Sequence, residues 1–455
     1  MEAIRQFELS KEYLESLQWG IEQENVDFIR ESLEGANVAD IAAILDELSM
    51  QESVYVLRLL EKQLAADILT ELDEVTLQKV MREFENAEIA AWIEMMDSDD
   101  GADILNLLSE KDREEVISEF QDKVKSEQVL ELLRYEEDTA GGIMAKEFIR
   151  ANKNWNIVQT INEIRRQAEN VEKIYSIYVV DNRQHLMGRV SLKRIILAAA
   201  DTKIEDIYDD EVIAVPVHMD QEEVASVMRK YDLESVPVIN SKNKLVGRIT
   251  VDDILDVVQE EADEDIQAMS GISDQVDEYD SIFKLTKARL PWLMIGIIGG
   301  LFGAGFIGFF EAGLAKVTAL AFFIPLITAT GGNVGIQSST LVVQSLANKS
   351  AFDDSLSRRF MKGLLVAVIN GVVLASFVFG MVVLFYGNEV KFALVVSIAL
   401  FCVVLLASFM GTFTPIVLDR FGINPALASG PFITTANDLI GLAVYFLIAM
   451  SLLNL

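Results

Sequence analysis

One carboxylate, Asp438, lies within an otherwise apolar segment near the C-terminus, residues 425 to 452. An ionised Asp near the centre of a membrane helix costs about 2.5 to 3.5 kcal/mol, so such residues usually face a bundle interior, a partner or a water-filled path. Pro425, Gly430 and Pro431 interrupt the helical turns before it, and irregular backbone at membrane depth is tolerated where it lines a cavity. Residues 424 to 438 therefore predict an ion path beside Asp438.

A second polar stretch, residues 330 to 339, combines three glycines with Asn, Gln and Ser inside another apolar segment. Taken alone, it favours polar contacts that hold membrane helices together. Taken with residues 424 to 438, it favours a pore, because both stretches offer neutral oxygens around one carboxylate. The pore residues that we predict beside Asp438 are Asn333, Asn424, Gly430, Thr434 and Thr435.

The residue types that are scarce indicate the class of ion. The two histidines, His185 and His218, precede the apolar half, and Cys402 is the single cysteine, whereas zinc and copper prefer nitrogen and sulfur ligands. Carboxylate, carbonyl and amide oxygens suit hard cations, and Mg²⁺ keeps much of its water shell, so one or two carboxylates suffice. Two copies on a twofold axis would place two Asp438 side chains around one divalent ion.

The charge of the chain is divided unevenly: residues 1 to 285 carry −36 and the remainder carries +3, which gives the net −33 of the 455 residues. This acidity argues against nucleic acid as a partner and fits a surface that collects cations. The N-terminus lacks the apolar core of a signal peptide, and a lone cysteine excludes an intrachain disulfide. We therefore expect the acidic half to lie in the cytosol.

Five apolar segments predict an all-α polytopic membrane domain over residues 286–455, with five transmembrane helices at about 291–313, 317–346, 363–387, 391–415 and 425–452. Each reaches the roughly 20 residues that a helix needs to cross the hydrocarbon. Basic clusters before the first and third segments stay on the cytosolic side. The prediction is a multi-pass protein of the cell inner (plasma) membrane, in contact with lipid, with its N-terminus cytoplasmic and its C-terminus outside. The basic residues are Lys284, Lys287, Arg289, Arg358, Arg359 and Lys362.

Residues 1–135 form an acidic region with apolar residues every three or four positions, which predicts helices only. An Ala-Asp-Ile motif recurs at 39–41, 66–68 and 102–104. A repeat of this kind buries its apolar face against its neighbours. We expect an all-α superhelical N-domain of stacked helix pairs, and an ordinary helical bundle is the alternative.

A second repeat places similar Gly-Arg motifs at residues 186–191 and 245–250, each after a short β-branched run. This pattern predicts strand, turn, strand and helix in each half. It resembles α/β tandem CBS domains, over 136–200 and 201–258, and such pairs commonly bind adenine nucleotides. The resemblance implies that ATP would contact Thr250, Asp253 and Asp256, and because Arg194 replaces the acid in the first repeat, we expect one site at most.

The segment 252–285 connects this pair to the membrane domain, and its helix is expected to run from Asp252 to about Met269. Acids recur along it at three- and four-residue spacing, and like charges at i,i+4 cost about 0.2 to 0.5 kcal/mol per pair. Divalent cations would relieve this repulsion. The alternative is a charge-rich linker helix that is simply solvated. The stacked acids are Asp253, Asp256, Glu260, Glu261, Glu264 and Asp265.

Over essentially its full length the chain resembles the MgtE family of magnesium channels. The resemblance implies a homodimer whose pore, lined by the second and fifth spans, passes hydrated Mg²⁺ at Asp438. The matching motifs are Gly331-Gly332-Asn333 with Gln337, and Asn424-Pro425-Ala426 with Gly430-Pro431 and residues 435 to 438.

The same resemblance implies a gate. Cytosolic Mg²⁺ would bind acids between the N-domain, the CBS pair and the connecting "plug" helix, and so close the pore. The matching acids are Asp97, Asp99, Asp103, Asp220, Glu222, Asp232, Asp253, Glu261, Glu264 and Asp265.

Two other functions stay open on the residues alone. A proton-coupled carrier would protonate and release Asp438 in each cycle. A membrane-anchored nucleotide sensor would use the spans as anchors and transport nothing. An enzyme is the least expected class, because the membrane half has no His, no nucleophile paired with a base and no phosphate loop.

Overall fold

The computed structural model describes residues 9–171, 173–273, 276, 280–347, 356–386, 389–428 and 430–454. The chain divides into two compact units, residues 1–259 and 260–455, and each is described by itself.

The first unit begins with short helices that stack in sequence. α3 packs on α5, α5 on α7 and α7 on α9, so each helix contacts the one two places further along. The isoleucines of the Ala-Asp-Ile motif, Ile41, Ile68 and Ile104, are all buried in this stack. The predicted superhelical N-domain is therefore confirmed over the ordinary bundle. Its helices are α1 (Lys11–Glu22), α2 (Val26–Leu33), α3 (Val38–Glu47), α4 (Met50–Leu59), α5 (Lys62–Leu69), α6 (Glu74–Met81), α7 (Asn86–Ile93), α8 (Ser98–Asn106), α9 (Glu110–Ser118) and α10 (Lys123–Leu132).

Side chains at the helix starts define where these short elements begin. Ser49 precedes α4, and its backbone N–H donates to Oε2 of Glu52 at 2.8 Å, as in a capping box. Asp73 accepts from the backbone N–H groups of Val75 and Thr76 at the start of α6. Such caps satisfy backbone donors that have no partner within the helix.

The two halves of the predicted CBS pair have the same topology, which confirms the α/β repeat. In each half the first strand runs parallel to the second, and the second pairs with the third in antiparallel fashion. The strands are β1 (Ile149–Asn152), β2 (Ile177–Val180), β3 (Leu186–Val190), β4 (Val215–Pro216), β5 (Ser235–Ile239) and β6 (Leu245–Thr250). The helices are α11 (Ile157–Gln167), α12 (Leu192–Leu197), α13 (Gln221–Tyr231) and α14 (Val251–Ser270).

The glycine of each repeat motif permits a close approach. Gly188 pairs with Val179 in β2, and Gly247 pairs with Val238 in β5. A Cβ at Gly188 would collide with the carbonyl oxygen of Asp209, and one at Gly247 would meet the sulfur of Met144. The repeated Gly-Arg motif therefore reflects packing in both sheets.

In the second unit, five helical segments among the described residues are long and apolar enough to cross a membrane, as predicted. The helices are α15 (Ile282–Phe309), α16 (Glu311–Lys316), α17 (Ala319–Phe322), α18 (Ile324–Ala347), α19 (Leu356–Phe385), α20 (Val390–Arg420) and α21 (Pro431–Leu453). The second candidate span, Ala319–Leu346, combines α17 and α18. The helix α15 begins before the predicted position 291, because hydropathy marks the apolar stretch and misses the polar first turns of the same helix.

The helix α20 forms the centre of this unit and packs against α18, α19 and α21. Among the described residues it contributes more buried apolar side chains to this unit than any other helix, and α18 and α21 also pack directly on each other. A short 3₁₀ turn, Pro425–Ala428, precedes α21, which starts with Pro431. The interruption that the prolines and glycine predicted is thus present just before the helix that carries Asp438.

Candidate functional site

Asn437, next to Asp438 on α21, lies in the contact between α18 and α21, the two predicted pore helices. It is only 2% exposed, and its Nδ2 donates to the carbonyl oxygen of Gly331 on α18 at 3.5 Å. A Cβ added at Gly335 would collide with the same amide nitrogen. Asp438 itself is half-buried, whereas Asn333 on α18 is exposed.

The predicted pore residues at the start of α21 face different neighbours. Thr434 donates from Oγ1 to the carbonyl oxygen of Gly430 at 3.2 Å, and its methyl group lies 3.3 Å from where a Cβ at Gly332 would be. Thr435 points toward α15 instead, against Gly299. The structure thus places Thr434 at the α18 side of α21 and Thr435 at the α15 side.

Asn424 is joined to an acid of the connecting helix. Its Nδ2 donates to Oδ1 of Asp265 at 3.3 Å, while its Oδ1 accepts from the backbone N–H of Ala426 at 2.8 Å. Burial raises the pKa of Asp265, and the hydrogen bond from Asn424 opposes that rise. A predicted pore residue and a predicted regulatory acid therefore meet within the second unit.

The end of α14 lies against the same stretch. Gly271 closes the helix with a positive φ of 78°, and a Cβ there would meet the ring of Pro431. A Cβ at Gly430 would collide with the carbonyl oxygen of Met269. The glycines at 271 and 430 thus allow the connecting helix to contact the segment that precedes α21.

In the first unit, oxygens of Asp97, Asp99 and Glu147 all lie within 4.8 Å of one another. Asp99 and Glu147 are each 8% exposed. Burial raises the pKa of Asp97 to about 6, with further repulsion from Glu147, and burial raises the pKa of Asp100 to about 8. Burial also raises the pKa of Asp99 well above its ordinary range. Carboxylates held together against their repulsion in this way form a candidate site for a hard divalent cation.

Hydrogen bonds and basic groups hold Glu147 ionised inside this cluster. Lys125 Nζ lies 2.8 Å from Oε1 of Glu147, and the Ser98 hydroxyl donates to Oε2 at 2.7 Å. Although burial acts in the opposite direction, these partners together lower the pKa of Glu147. Arg248 on β6 lies 3.6 Å from Oδ2 of Asp97.

The cluster extends to predicted acids on neighbouring elements. The charge of Asp253 contributes to the raised pKa of Asp97, Asp99 and Asp100, and Asp103 contributes to that of Asp100. Four acids from the N-domain and one from α14 thus lie close enough to interact.

The residues predicted to contact ATP lie at the start of α14. Asp253 Oδ2 accepts from the backbone N–H of Thr250 at 2.8 Å and from its hydroxyl at 2.7 Å. Burial raises the pKa of Asp256, and the charge of Asp252 adds to the rise. Thr250 and Asp253 therefore bind each other in this structure.

The other predicted regulatory acids lie on α13 and on α14. Asp220 caps α13 by accepting from the backbone N–H of Glu222 at 2.9 Å, whereas Asp232 follows the same helix with a positive φ of 50°. All three are exposed, and an eleven-residue helix separates its ends by about 16 Å. Glu261 and Glu264 lie on the part of α14 that belongs to the second unit.

Comparison with known proteins assigns the family. A family model described as "MgtE: Divalent cation transporter" matches residues 324–448, and models described as the MgtE intracellular N domain and the CBS domain match 36–138 and 204–260. The Magnesium transporter MgtE of Enterococcus faecalis is 37% identical over 322 residues, 71% of this chain and 71% of that protein. The chain belongs to the MgtE family.

Two further relatives extend the similarity. The Magnesium transporter MgtE of Thermus thermophilus is 37% identical over 329 residues, 72% of this chain and 73% of that protein. A crystal structure of the cytosolic domain of the Mg²⁺ channel MgtE in complex with ATP is 34% identical, with a TM-score of 0.51, and covers 54% of this chain and 99% of that one. The similarity to MgtE proteins thus includes residues of both units.

Several residues that complete the two sites carry no pattern that the sequence alone would reveal. Glu147 and Lys125 lie far along the chain from Asp97 and carry no motif, so nothing local indicates that they meet. Asn437 lies inside the predicted stretch, in which its neighbour Asp438 carries the only charge. An amide directly before the lone carboxylate of an apolar segment is the sequence feature that indicates this residue.

The raised pKa values predict how the stability of the first unit depends on pH. Without divalent cations, the thermal midpoint should fall as pH rises from about 4 to about 8, because the folded state holds protons on Asp97 and Asp100 that the unfolded state has released. Burial raises the pKa of Asp46 to about 7, and this group contributes with the same sign. Thermal unfolding of the whole protein in a chelator, followed against pH, measures the fall.

The double variant Asp97→Asn/Asp100→Asn should flatten this dependence, since two of the titrating groups are removed. Addition of Mg²⁺ should flatten it as well, because a bound cation favours the ionised carboxylates. An unchanged slope in the variant would contradict the assignment of the slope to this cluster.

Proposed function

We propose that this protein transports Mg²⁺, and that the ion crosses the membrane along a path beside Asp438. The observation that carries the proposal is the lone carboxylate of the last span, placed on a helix that packs on α18 through glycines. Hard oxygen ligands without imidazole or thiolate suit a hydrated divalent ion. The relatives that are 37% identical are named magnesium transporters, which supports the same ion.

The complete path is proposed to need two copies of the chain. Asn333 and Gln337 are exposed on α18 within a candidate span. Polar side chains in lipid are costly, so they are better placed against a partner or water. A homodimer on a twofold axis would direct the α18 and α21 helices of both copies toward one ion and pair two Asp438 carboxylates.

The proposed gate closes when cytosolic Mg²⁺ binds the acids of the N-domain, the CBS pair and the connecting helix. In the first unit, Asp97, Asp99 and Glu147 converge and would gain from a bound cation. In the second unit, Asp265 contacts Asn424, and Met269 contacts Gly430. The connecting helix therefore contacts the segment that precedes the proposed path. A movement of this helix would open or close the path.

An adenine nucleotide is proposed as a second ligand of the CBS pair. The support is the ATP complex of the MgtE cytosolic domain that is 34% identical. Thr250, Asp253 and Asp256 would be the contact residues, and the Thr250 hydroxyl donates to Asp253 Oδ2 in this structure.

The proposed orientation in the plasma membrane has the N-terminus in the cytosol and the C-terminus outside. An odd number of spans puts the ends on opposite sides, and the basic residues near the starts of α15 and α19 favour the cytosolic side.

Flux into liposomes tests the transport proposal against the carrier alternative. Mg²⁺ entry should follow the Mg²⁺ electrochemical gradient and should stay unchanged when a pH gradient is imposed. A flux that follows the pH gradient would favour a proton-coupled carrier, and no flux at all would favour the anchored sensor. Competing Mn²⁺, Co²⁺ and Ca²⁺ in the same assay define the selectivity.

A further inference from the structure

We propose that Asn437 is a positioning residue that holds Asp438 in register with α18. The inference rests on the proposed function, because Asp438 is the carboxylate of that path. Asn437 lies one position before Asp438 on α21, and its side chain enters the packed contact with α18.

The packing around Asn437 is closed on the α18 side. Its Nδ2 lies 3.5 Å from the carbonyl oxygen of Gly331 and directly against the backbone of Gly335. An amide that is 2% exposed at membrane depth has no water to bind, so its hydrogen bonds must come from the protein. The amide therefore fixes both the distance and the rotation of α21 relative to α18.

Gly335 is also confined on its other side, by α20. A Cβ at Gly411 of α20 would collide with the carbonyl oxygen of Gly335, and the Ser338 and Ser408 hydroxyls of α18 and α20 lie 3.1 Å apart. α18 consequently cannot move away from α21 to relieve a clash at Gly335. A larger residue there must displace Asn437.

Displacement of Asn437 would change the direction of the Asp438 side chain, because both residues lie on the same helix. Adjacent residues of an α-helix are separated by about 100°, so a rotation that withdraws Asn437 from α18 changes the direction of Asp438 by the same angle. The effect of Asn437 on transport is therefore expected in the affinity of the path for its ion, besides any effect on the amount of folded protein.

The test measures Mg²⁺ flux against Mg²⁺ concentration in liposomes, normalised to inserted protein. Asn437→Ala should raise the half-saturating Mg²⁺ concentration about fivefold, the equivalent of one buried hydrogen bond. Gly335→Ala should do the same. In the double variant Asn437→Ala/Gly335→Ala, the Gly335 substitution should raise the half-saturating Mg²⁺ concentration less than it does in the wild-type background. Some effect should remain, because Ile433 Cγ2 also lies 2.7 Å from where the new Cβ would be.

The matched control is Gly380→Ala on α19. A Cβ at Gly380 would meet nothing within 4 Å, so this variant should keep the wild-type half-saturating concentration. If Asn437→Ala changes only the maximal flux, or if the effects of the Asn437 and Gly335 variants multiply, the inference is wrong. A wild-type protein without any Mg²⁺ flux would instead overturn the proposed function.

Discussion

Replacement of Asp438 by Asn is expected to lower Mg²⁺ flux into liposomes by at least about a hundredfold. A carboxylate at about 4 Å stabilises a unit positive charge by about 4 kcal/mol at an effective dielectric constant of 20, and each 1.4 kcal/mol corresponds to about tenfold. The amide keeps the size and the neutral oxygen of the side chain but removes the charge. The measurement is the initial rate of Mg²⁺ entry per inserted protein.

The control for this experiment is Asp419→Asn at the end of α20, an acid of the same unit outside the proposed path. It should keep wild-type flux, and both variants should elute from size exclusion as the wild type does. Normal flux in a well-folded Asp438→Asn protein would contradict an ion path at this position and would favour the anchored nucleotide sensor.

Local patterns in the sequence predicted the elements of this fold well. Burial of Ile41, Ile68 and Ile104 follows from a helical repeat, and the glycines at 188 and 247 follow from a repeated strand motif. Each of these elements is marked by residue types that recur within a few positions, so the sequence displays the pattern directly, although Gly188 packs on Asp209 and Gly247 on Met144. The five membrane segments are predictable for the same reason, since hydropathy is a local property.

The partners of the site residues could not be predicted in this way. Ser98 and Glu147 are 49 positions apart, and Asn424 and Asp265 are 159 positions apart. Residue types limit which partners suit a carboxylate, but tertiary packing chooses among them. Asn424 belongs to a sequence motif, and the structure adds that its amide donates a hydrogen bond to Asp265 of the connecting helix.

The buried acids indicate how one ion could serve as both cargo and signal. Asp97 and Asp99 lie beside Glu147 in one cluster. Burial, together with repulsion from the neighbouring acids, raises the pKa values of Asp97 and Asp99. A divalent ion would convert that repulsion into attraction. The energy available for closing the gate would thus come from the same binding event that reports a sufficient cytosolic concentration.

This mechanism predicts that millimolar Mg²⁺ slows proteolysis of residues 1 to 285 in the full-length protein. Cations would bridge the acids and suppress the local opening that exposes cleavage sites, whereas monovalent salt at equal ionic strength would only screen them. The measurement is the rate of limited digestion with and without Mg²⁺. Equal protection by monovalent salt would count against specific binding.

The variant Asp97→Asn/Asp99→Asn should lose this dependence, so that its digestion rate is the same with and without Mg²⁺. The variant removes two of the three carboxylates that converge in the cluster, and with them both the repulsion between the acids and most of the ligands for a cation. The matched control, Asp27→Asn/Glu31→Gln, neutralises two exposed acids of α2 and should keep the full Mg²⁺ effect. If both variants respond alike, the protection arises from the overall negative charge, and the gate must be sought outside this cluster.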